Sequence, residues 1–216
     1  MILSRGRKYL FIHIPKTGGT SMALALEGRA MKDDIMLGDT PKARRRRRQL
    51  SDVTARGRLW KHATLADLDG LVSLDELDDL FIFTMVRNPW DRMVSYYHWL
   101  RGQNFDHPAV TLAKRTTFDA FVAAPLIAQS MKAGTTVSYV TDAAGRLRAN
   151  HFVRLEHLEE DLVPLRAHLG FDLDLPHVNR SDRRADYRSA YADASRAHVA
   201  RICAEDIARF GYRFEP

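Results

Sequence analysis

Residues 9–21 read Tyr9-Leu10-Phe11-Ile12-His13-Ile14-Pro15-Lys16-Thr17-Gly18-Gly19-Thr20-Ser21, an apolar run halted by a proline and carried through two glycines into hydroxyl residues. The run to Ile14 is short and rich in aromatic and β-branched residues, which predicts a buried strand; Ser21 through Glu27 then reads as a helix. A strand that passes through a glycine turn into a helix offers backbone N–H groups and the positive end of a helix dipole to an anion. Lys16 adds a mobile positive charge, Thr17, Thr20 and Ser21 add hydroxyl donors, and Gly18 and Gly19 permit close approach. The composition fits a phosphate or sulfate grip. The plainer alternative is an ordinary Gly-Gly turn.

The same pattern recurs downstream. Leu80–Val86 is a second buried-strand candidate, and Pro89 suits the first turn of a helix continuing through Trp90–Arg101. Asp142-Ala143-Ala144-Gly145 carries turn residues between Val137–Thr141 and Arg146–Arg154, predicting a hairpin or bent connection into a third strand near Phe152-Val153. A helix over His157–Leu169 closes at Gly170, and a final helix from Tyr187 to Phe210 ends at Gly211. Thr64-Leu65-Ala66-Asp67 has capping-box spacing, so a helix starts just after Trp60-Lys61-His62-Ala63 and leaves His62 in a loop at its entrance. Strands alternating with helices imply a three-layer α/β, P-loop-like fold. Its central sheet is mostly parallel and flanked by helices, with ligands beyond the carboxyl ends of the strands.

The 216 residues, 45% of them hydrophobic, are enough for one domain spanning residues 1–216. A formal charge of +6 favours anionic ligands. Cys203, the single cysteine, falls among apolar positions of the last helix and reads as a core residue in a reducing compartment. No apolar stretch approaches the length of a membrane span, and Tyr9–Ile14 is too short for a signal peptide, so the expected location is cytoplasmic. Met31–Gly57 has weak periodicity and contains Arg44–Arg48, which predicts a basic surface excursion. The arginines are either solvated or a collar for an anionic acceptor or a membrane surface.

In the Walker A pattern the lysine follows the second glycine, whereas Lys16 precedes both. The second strand ends in Val86-Arg87-Asn88, with no metal-binding aspartate. Both features weigh against a P-loop nucleotide kinase. A non-catalytic binder of nucleic acid or anionic surfaces would leave both motifs unexplained.

The two motifs, His13–Ser21 and Val86-Arg87-Asn88-Pro89-Trp90-Asp91-Arg92-Met93-Val94-Ser95-Tyr96-Tyr97, resemble those of sulfotransferases that use 3′-phosphoadenosine 5′-phosphosulfate (PAPS). The branch resembled includes carbohydrate O-sulfotransferases and small bacterial relatives. That resemblance implies that Lys16, Thr17, Gly18, Gly19, Thr20 and Ser21 hold the 5′-phosphosulfate, and that Arg87 and Ser95 hold the 3′-phosphate. His62 falls where the family places its catalytic histidine. The likeness extends through Phe152–Asp161, through Leu175–Ser181 and into Tyr187–Tyr212, and a segment matching Asn179–Tyr187 tends to close over the nucleotide, which puts Arg180 and Ser181 near the donor. The implied acceptor is a hydroxyl on a carbohydrate or glycolipid. No metal and no nucleic-acid partner is expected, and membrane contact would be peripheral at most. In some glycan 2-O-sulfotransferases a second histidine stands two positions before the catalytic one; here that position is Trp60, so acceptor identity does not carry over. The acceptor pocket is expected from the variable segments Met31–Gly57 and Gly102–Gly134.

Overall fold

A computed structural model describes residues 1–50, 52–176 and 186–215. The chain divides into two compact units, Met1–Val86 with Thr136–Val178, and Arg87–Thr135 with Asn179–Pro216. The strands are β1 (Ile2–Ser4), β2 (Tyr9–Ile12), β3 (Ile35–Met36), β4 (Phe81–Val86) and β5 (His151–Arg154). In chain order the α-helices are α1 (Gly19–Gly28), α2 (Pro41–Arg46), α3 (Leu74–Asp78), α4 (Pro89–Arg101), α5 (Pro108–Arg115), α6 (Phe118–Ala123), α7 (Pro125–Ala133), α8 (Thr136–Val140), α9 (Leu158–Leu169), α10 (Asp193–Ile202) and α11 (Ala204–Phe210).

The first unit holds a mixed five-stranded sheet in the order β3-β1-β2-β4-β5. β2, β4 and β5 run parallel, while β1 is antiparallel to both β2 and β3. The centre of the sheet is covered on both faces, which is why β2 and β4 read as continuous apolar runs. Leu10, Ile12 and Ile82 point into one cluster with Leu3, Leu65 and Leu77. Their neighbours Tyr9, Phe11, Phe83 and Met85 alternate into another, against Met22 and Leu26 of α1 and Leu162 and Leu165 of α9. Burying each of these large side chains contributes about 1.5–3 kcal/mol. Ile12 of β2 pairs with Thr84 of β4, and the Thr84 hydroxyl donates to the Ile12 carbonyl at 2.7 Å, so the carboxyl ends of the two strands finish side by side.

The second unit is helical, built from α4–α7, α10 and α11 around Trp90, Met93, Tyr97, Phe121, Ile127 and Val199. The variable segment after Gly102 supplies α5, α6 and α7, the first and last opened by prolines at the N-terminal turn.

Several expectations are narrowed or corrected. Of the two forms expected around Asp142–Gly145, the bent connection into β5 is the one found: Val137–Thr141 lies largely in α8, where the buried positions Thr136 and Val140 are four apart, a helical spacing. Thr141 makes only an isolated antiparallel bridge to Leu147. Met31–Gly57 is more than a surface excursion. Ile35–Met36 extends the sheet as β3, and α2 follows, capped where the Thr40 side chain accepts from Ala43 N. Thr64 and Asp67 do bond reciprocally, but they close a single 3-10 turn, Ala66–Leu68. The final helix is broken into a 3-10 turn at Tyr187–Ala190, α10 and α11, with the break at Cys203. Cys203 is buried, and burial pushes its thiol up to about 11, consistent with an inert core residue.

Candidate functional site

The site begins where β2 ends. His13 and Ile14 stay buried, and the chain then turns through two left-handed residues, Lys16 at φ 68° and Gly18 at φ 90°. For a lysine this backbone costs about 1–2 kcal/mol, a local strain of the kind that collects at ligand-binding sites. Thr17 is buried and its hydroxyl donates to the Ile14 carbonyl at 2.9 Å, so that proton braces the loop. Gly18 is the N-cap of α1, and no side chain caps the helix. Ser21 N donates to the Gly18 carbonyl at 3.0 Å, and the start of α1 carries the positive end of the helix dipole, an arrangement suited to a phosphate or sulfate.

The two glycines do different work. Gly18 supplies the left-handed turn. At Gly19 a Cβ atom would sit 2.1 Å from His13 Cδ2 and 2.5 Å from His13 Nε2, so this residue is glycine because the His13 ring lies against it. Close approach was the expected reason for the glycines; the approaching group at Gly19 is a side chain of the same chain.

His13 also reaches the candidate base. His62 Nδ1 lies 2.8 Å from the His13 carbonyl. A carbonyl can only accept, so Nδ1 carries the hydrogen and Nε2 keeps its lone pair, the tautomer a general base needs. The two rings meet edge-on at 4.6 Å, and Trp60 packs edge-on to His62 at 5.1 Å. Burial lowers the His62 pKa to about 4, against the opposing pull of the His13 carbonyl, so the imidazole is neutral at neutral pH. Burial likewise holds His13 well below the usual histidine range. The segment is anchored on either side of His62. Met1 N donates to the carbonyls of Leu37 and Lys61, the Lys61 ammonium pairs with Asp39, and Leu65 N donates to the Tyr139 carbonyl at 2.8 Å.

Lys16–Ser21 and His62 are thus brought together in the first unit through His13. The sequence assigns His13 no role beyond its place at the start of the motif. The available signal was a polar residue at the end of a buried apolar strand, immediately before the loop.

Arg87 and Ser95 belong to the second unit. Arg87 Nε and Nη2 both donate to Asp91 Oδ2, at 2.8 and 2.6 Å, one helical turn on. Ser95 is buried on α4. Asn88, between Arg87 and the helix, accepts from Trp90 N and donates to the Arg213 carbonyl at 2.8 Å, fixing the start of α4. Arg180 and Ser181 lie outside the described residues. Within the arginine run, Arg46 donates to the carbonyls of Met31 and Asp34 and is structural, whereas Arg44, Arg45 and Arg47 are exposed. Among the described residues, no group of three His, Cys, Asp or Glu side chains could hold a metal, and no helix is long and apolar enough to cross a membrane.

A strand–loop–helix turn at the carboxyl end of β2, in a mixed sheet whose β2, β4 and β5 run parallel, defines an α/β protein. Within that class, a family model described as "Sulfotransferase family" matches residues 1–213, and the chain belongs to the sulfotransferase family. Among solved structures, a crystal structure of mouse sulfotransferase SULT7A1 complexed with PAP is similar, with a TM-score of 0.52 and 16% sequence identity over 93% of this chain and 84% of that one. At that identity the likeness is one of fold. Among curated proteins none matches this sequence. The sulfotransferase recognition and the α/β fold class read from the sequence both agree with these findings.

Proposed function

We propose that the protein moves a sulfuryl group from PAPS to a hydroxyl of a carbohydrate or glycoconjugate, with His62 as general base. The observation that carries this reading is the His62–His13 hydrogen bond at 2.8 Å, which leaves Nε2 able to take a proton beside an anion-binding loop. Family membership and the fold shared with a PAP-bound sulfotransferase support PAPS as the donor.

In this reading the N–H groups at the start of α1, with Lys16, Thr20 and Ser21, bind the 5′-phosphosulfate, and Thr17 keeps the loop in shape. The motif resemblance assigns Arg87 and Ser95 to the 3′-phosphate. His62 Nε2 accepts the acceptor's hydroxyl proton as the acceptor oxygen bonds to sulfur. The bond from sulfur to the phosphate oxygen breaks, and adenosine 3′,5′-bisphosphate leaves. Lys16 stabilises the charge that grows on the departing phosphate. The transferred group travels in line, so positioning and electrostatics do most of the work. The bound donor's negative charge raises the His62 pKa from its low value toward the range where imidazole is an effective base.

The test is calorimetric titration of adenosine 3′,5′-bisphosphate against 5′-ADP and ATP without magnesium. Micromolar binding with preference for the 3′-phosphorylated nucleotide is expected. A magnesium-dependent preference for ATP, or no binding, overturns the proposal.

A further inference from the structure

The transfer step uses the carbonyl of His13 and leaves its ring without a task. His13 is only 6% exposed, yet neither ring nitrogen has a hydrogen-bond partner among the described residues. Elsewhere in the fold, polar side-chain atoms without partners are shut off from solvent, as at Ser4 Oγ and Asp34 Oδ1; the His13 nitrogens are not shut off in this way. A polar group so deeply buried is costly to leave unsatisfied, which points to a partner that the protein itself does not supply.

The surroundings of the ring fix where that partner would lie. Phe11 stacks on the ring at 5.8 Å, and His62 meets it edge-on at 4.6 Å. The Cδ2–Nε2 edge lies against Gly19, the first residue of α1. Burial, and after it the charges of Met1 N, His62, Lys61 and Lys16, keep the imidazole neutral. A neutral imidazole carries one N–H. With neither nitrogen engaged within the protein, that hydrogen is free to stand on Nε2, beside Gly19.

Transfer in line sets the leaving phosphate oxygen, the sulfur and the acceptor oxygen on one axis. In the sulfotransferase reading the Lys16–Ser21 loop holds the phosphate end of that axis, and His62 takes the proton at the acceptor end. A ring packed against both Gly19 and His62 stands beside the middle, where the sulfuryl group lies. We infer that His13 is a further donor-binding residue: its Nε2–H donates to an oxygen of the sulfuryl group, so that the site distinguishes PAPS from adenosine 3′,5′-bisphosphate, which lacks that group. The inference rests on the sulfotransferase reading, and its test separates the two.

Calorimetry without acceptor compares PAPS and adenosine 3′,5′-bisphosphate on wild type, His13→Phe and His13→Gln. Phenylalanine keeps a ring against Gly19 and the carbonyl for His62 but has no N–H; glutamine brings an N–H donor back near the place of Nε2. A hydrogen bond to a charged oxygen corresponds to about 10–100-fold in affinity, so His13→Phe loses at least about tenfold for PAPS while its affinity for the bisphosphate stays within about threefold. His13→Gln recovers most of that difference. Proton–nitrogen correlation spectra of the wild-type histidine rings need no variant to fold: PAPS fixes His13 as the Nε2–H tautomer, and the bisphosphate does not. Equal losses for the two nucleotides in His13→Phe, or the same His13 ring spectrum with either nucleotide, overturn the inference and leave the donor reading standing. A wild type that binds neither nucleotide overturns both.

Discussion

Replacing Gly19 with alanine tests the packing that joins the Lys16–Ser21 loop to His62 through His13. The added methyl would stand 2.1, 2.5 and 2.9 Å from His13 Cδ2, Nε2 and Cγ, all shorter than real carbon contacts. The ring has little room to retreat, because Phe11 stacks on it at 5.8 Å and His62 meets it at 4.6 Å. An overpacking cost of about 2 kcal/mol follows. For a chain of this size that lowers Tm by about 6 °C. The comparison is Gly145→Ala, where φ is 81° and a Cβ meets nothing within 4 Å. There the left-handed backbone alone costs about 1 kcal/mol, or about 3 °C. Differential scanning fluorimetry reads both variants, and calorimetry with adenosine 3′,5′-bisphosphate separates them. Gly19→Ala weakens binding at least tenfold, because the ring and the loop cannot both keep their places, while Gly145→Ala binds as wild type. A Gly19→Ala protein with wild-type Tm and affinity would refute the account of His13 as the group against the loop.

Three further outcomes are expected. His62→Asn can still donate to the His13 carbonyl but has no base; single-turnover transfer falls by about 10²–10⁴-fold while nucleotide affinity stays within about twofold, and a fully active variant removes the general-base role. Unfolded His62 titrates near 6.5 and folded His62 near 4, so the unfolded state binds more protons between those values and stability rises with pH across that window. The shift is worth at most about 3 kcal/mol, and urea midpoints at pH 4.5 and 7.5 should differ more in wild type than in His62→Asn; equal slopes would contradict it. Arg46→Ala loses two bonds to backbone carbonyls and costs about 1–2 kcal/mol by urea denaturation, whereas Arg44→Ala and Arg45→Ala stay within about 0.5 kcal/mol.

The sheet centre was legible because β2 and β4 are covered on both faces, and such strands must be apolar throughout. Gly170 and Gly211 marked helix ends because each adopts the left-handed backbone that stops a helix, at φ 72° and 66°. The turn at Asp142 was legible for the same kind of local reason: its side chain accepts from Ala144 N and Arg146 N, and Gly145 is left-handed. What escaped was decided by distant contacts. β1 and β3 are three and two residues long, too short for periodicity, and exist because they pair with each other and with β2. The Met31–Gly57 segment carries its order in such contacts, as when Arg46 caps the carbonyls of Met31 and Asp34. In the site, loop composition announced an anion, but the tautomer of His62 depends on a carbonyl 49 positions away.

That carbonyl belongs to His13, and the location explains why a polar residue ends a buried strand. Its main chain, held in line by β2, offers a fixed acceptor to His62, while its ring fills the space that Gly19 leaves open. An apolar side chain of similar size could fill that space, and any residue could offer the carbonyl. A neutral imidazole adds a ring that meets His62 edge-on without placing a charge beside it, because burial keeps His13 unprotonated. A protonated neighbour would depress the His62 pKa further. Burial therefore acts on both rings: it keeps His13 uncharged, and it holds His62 neutral, as the proposed base role requires.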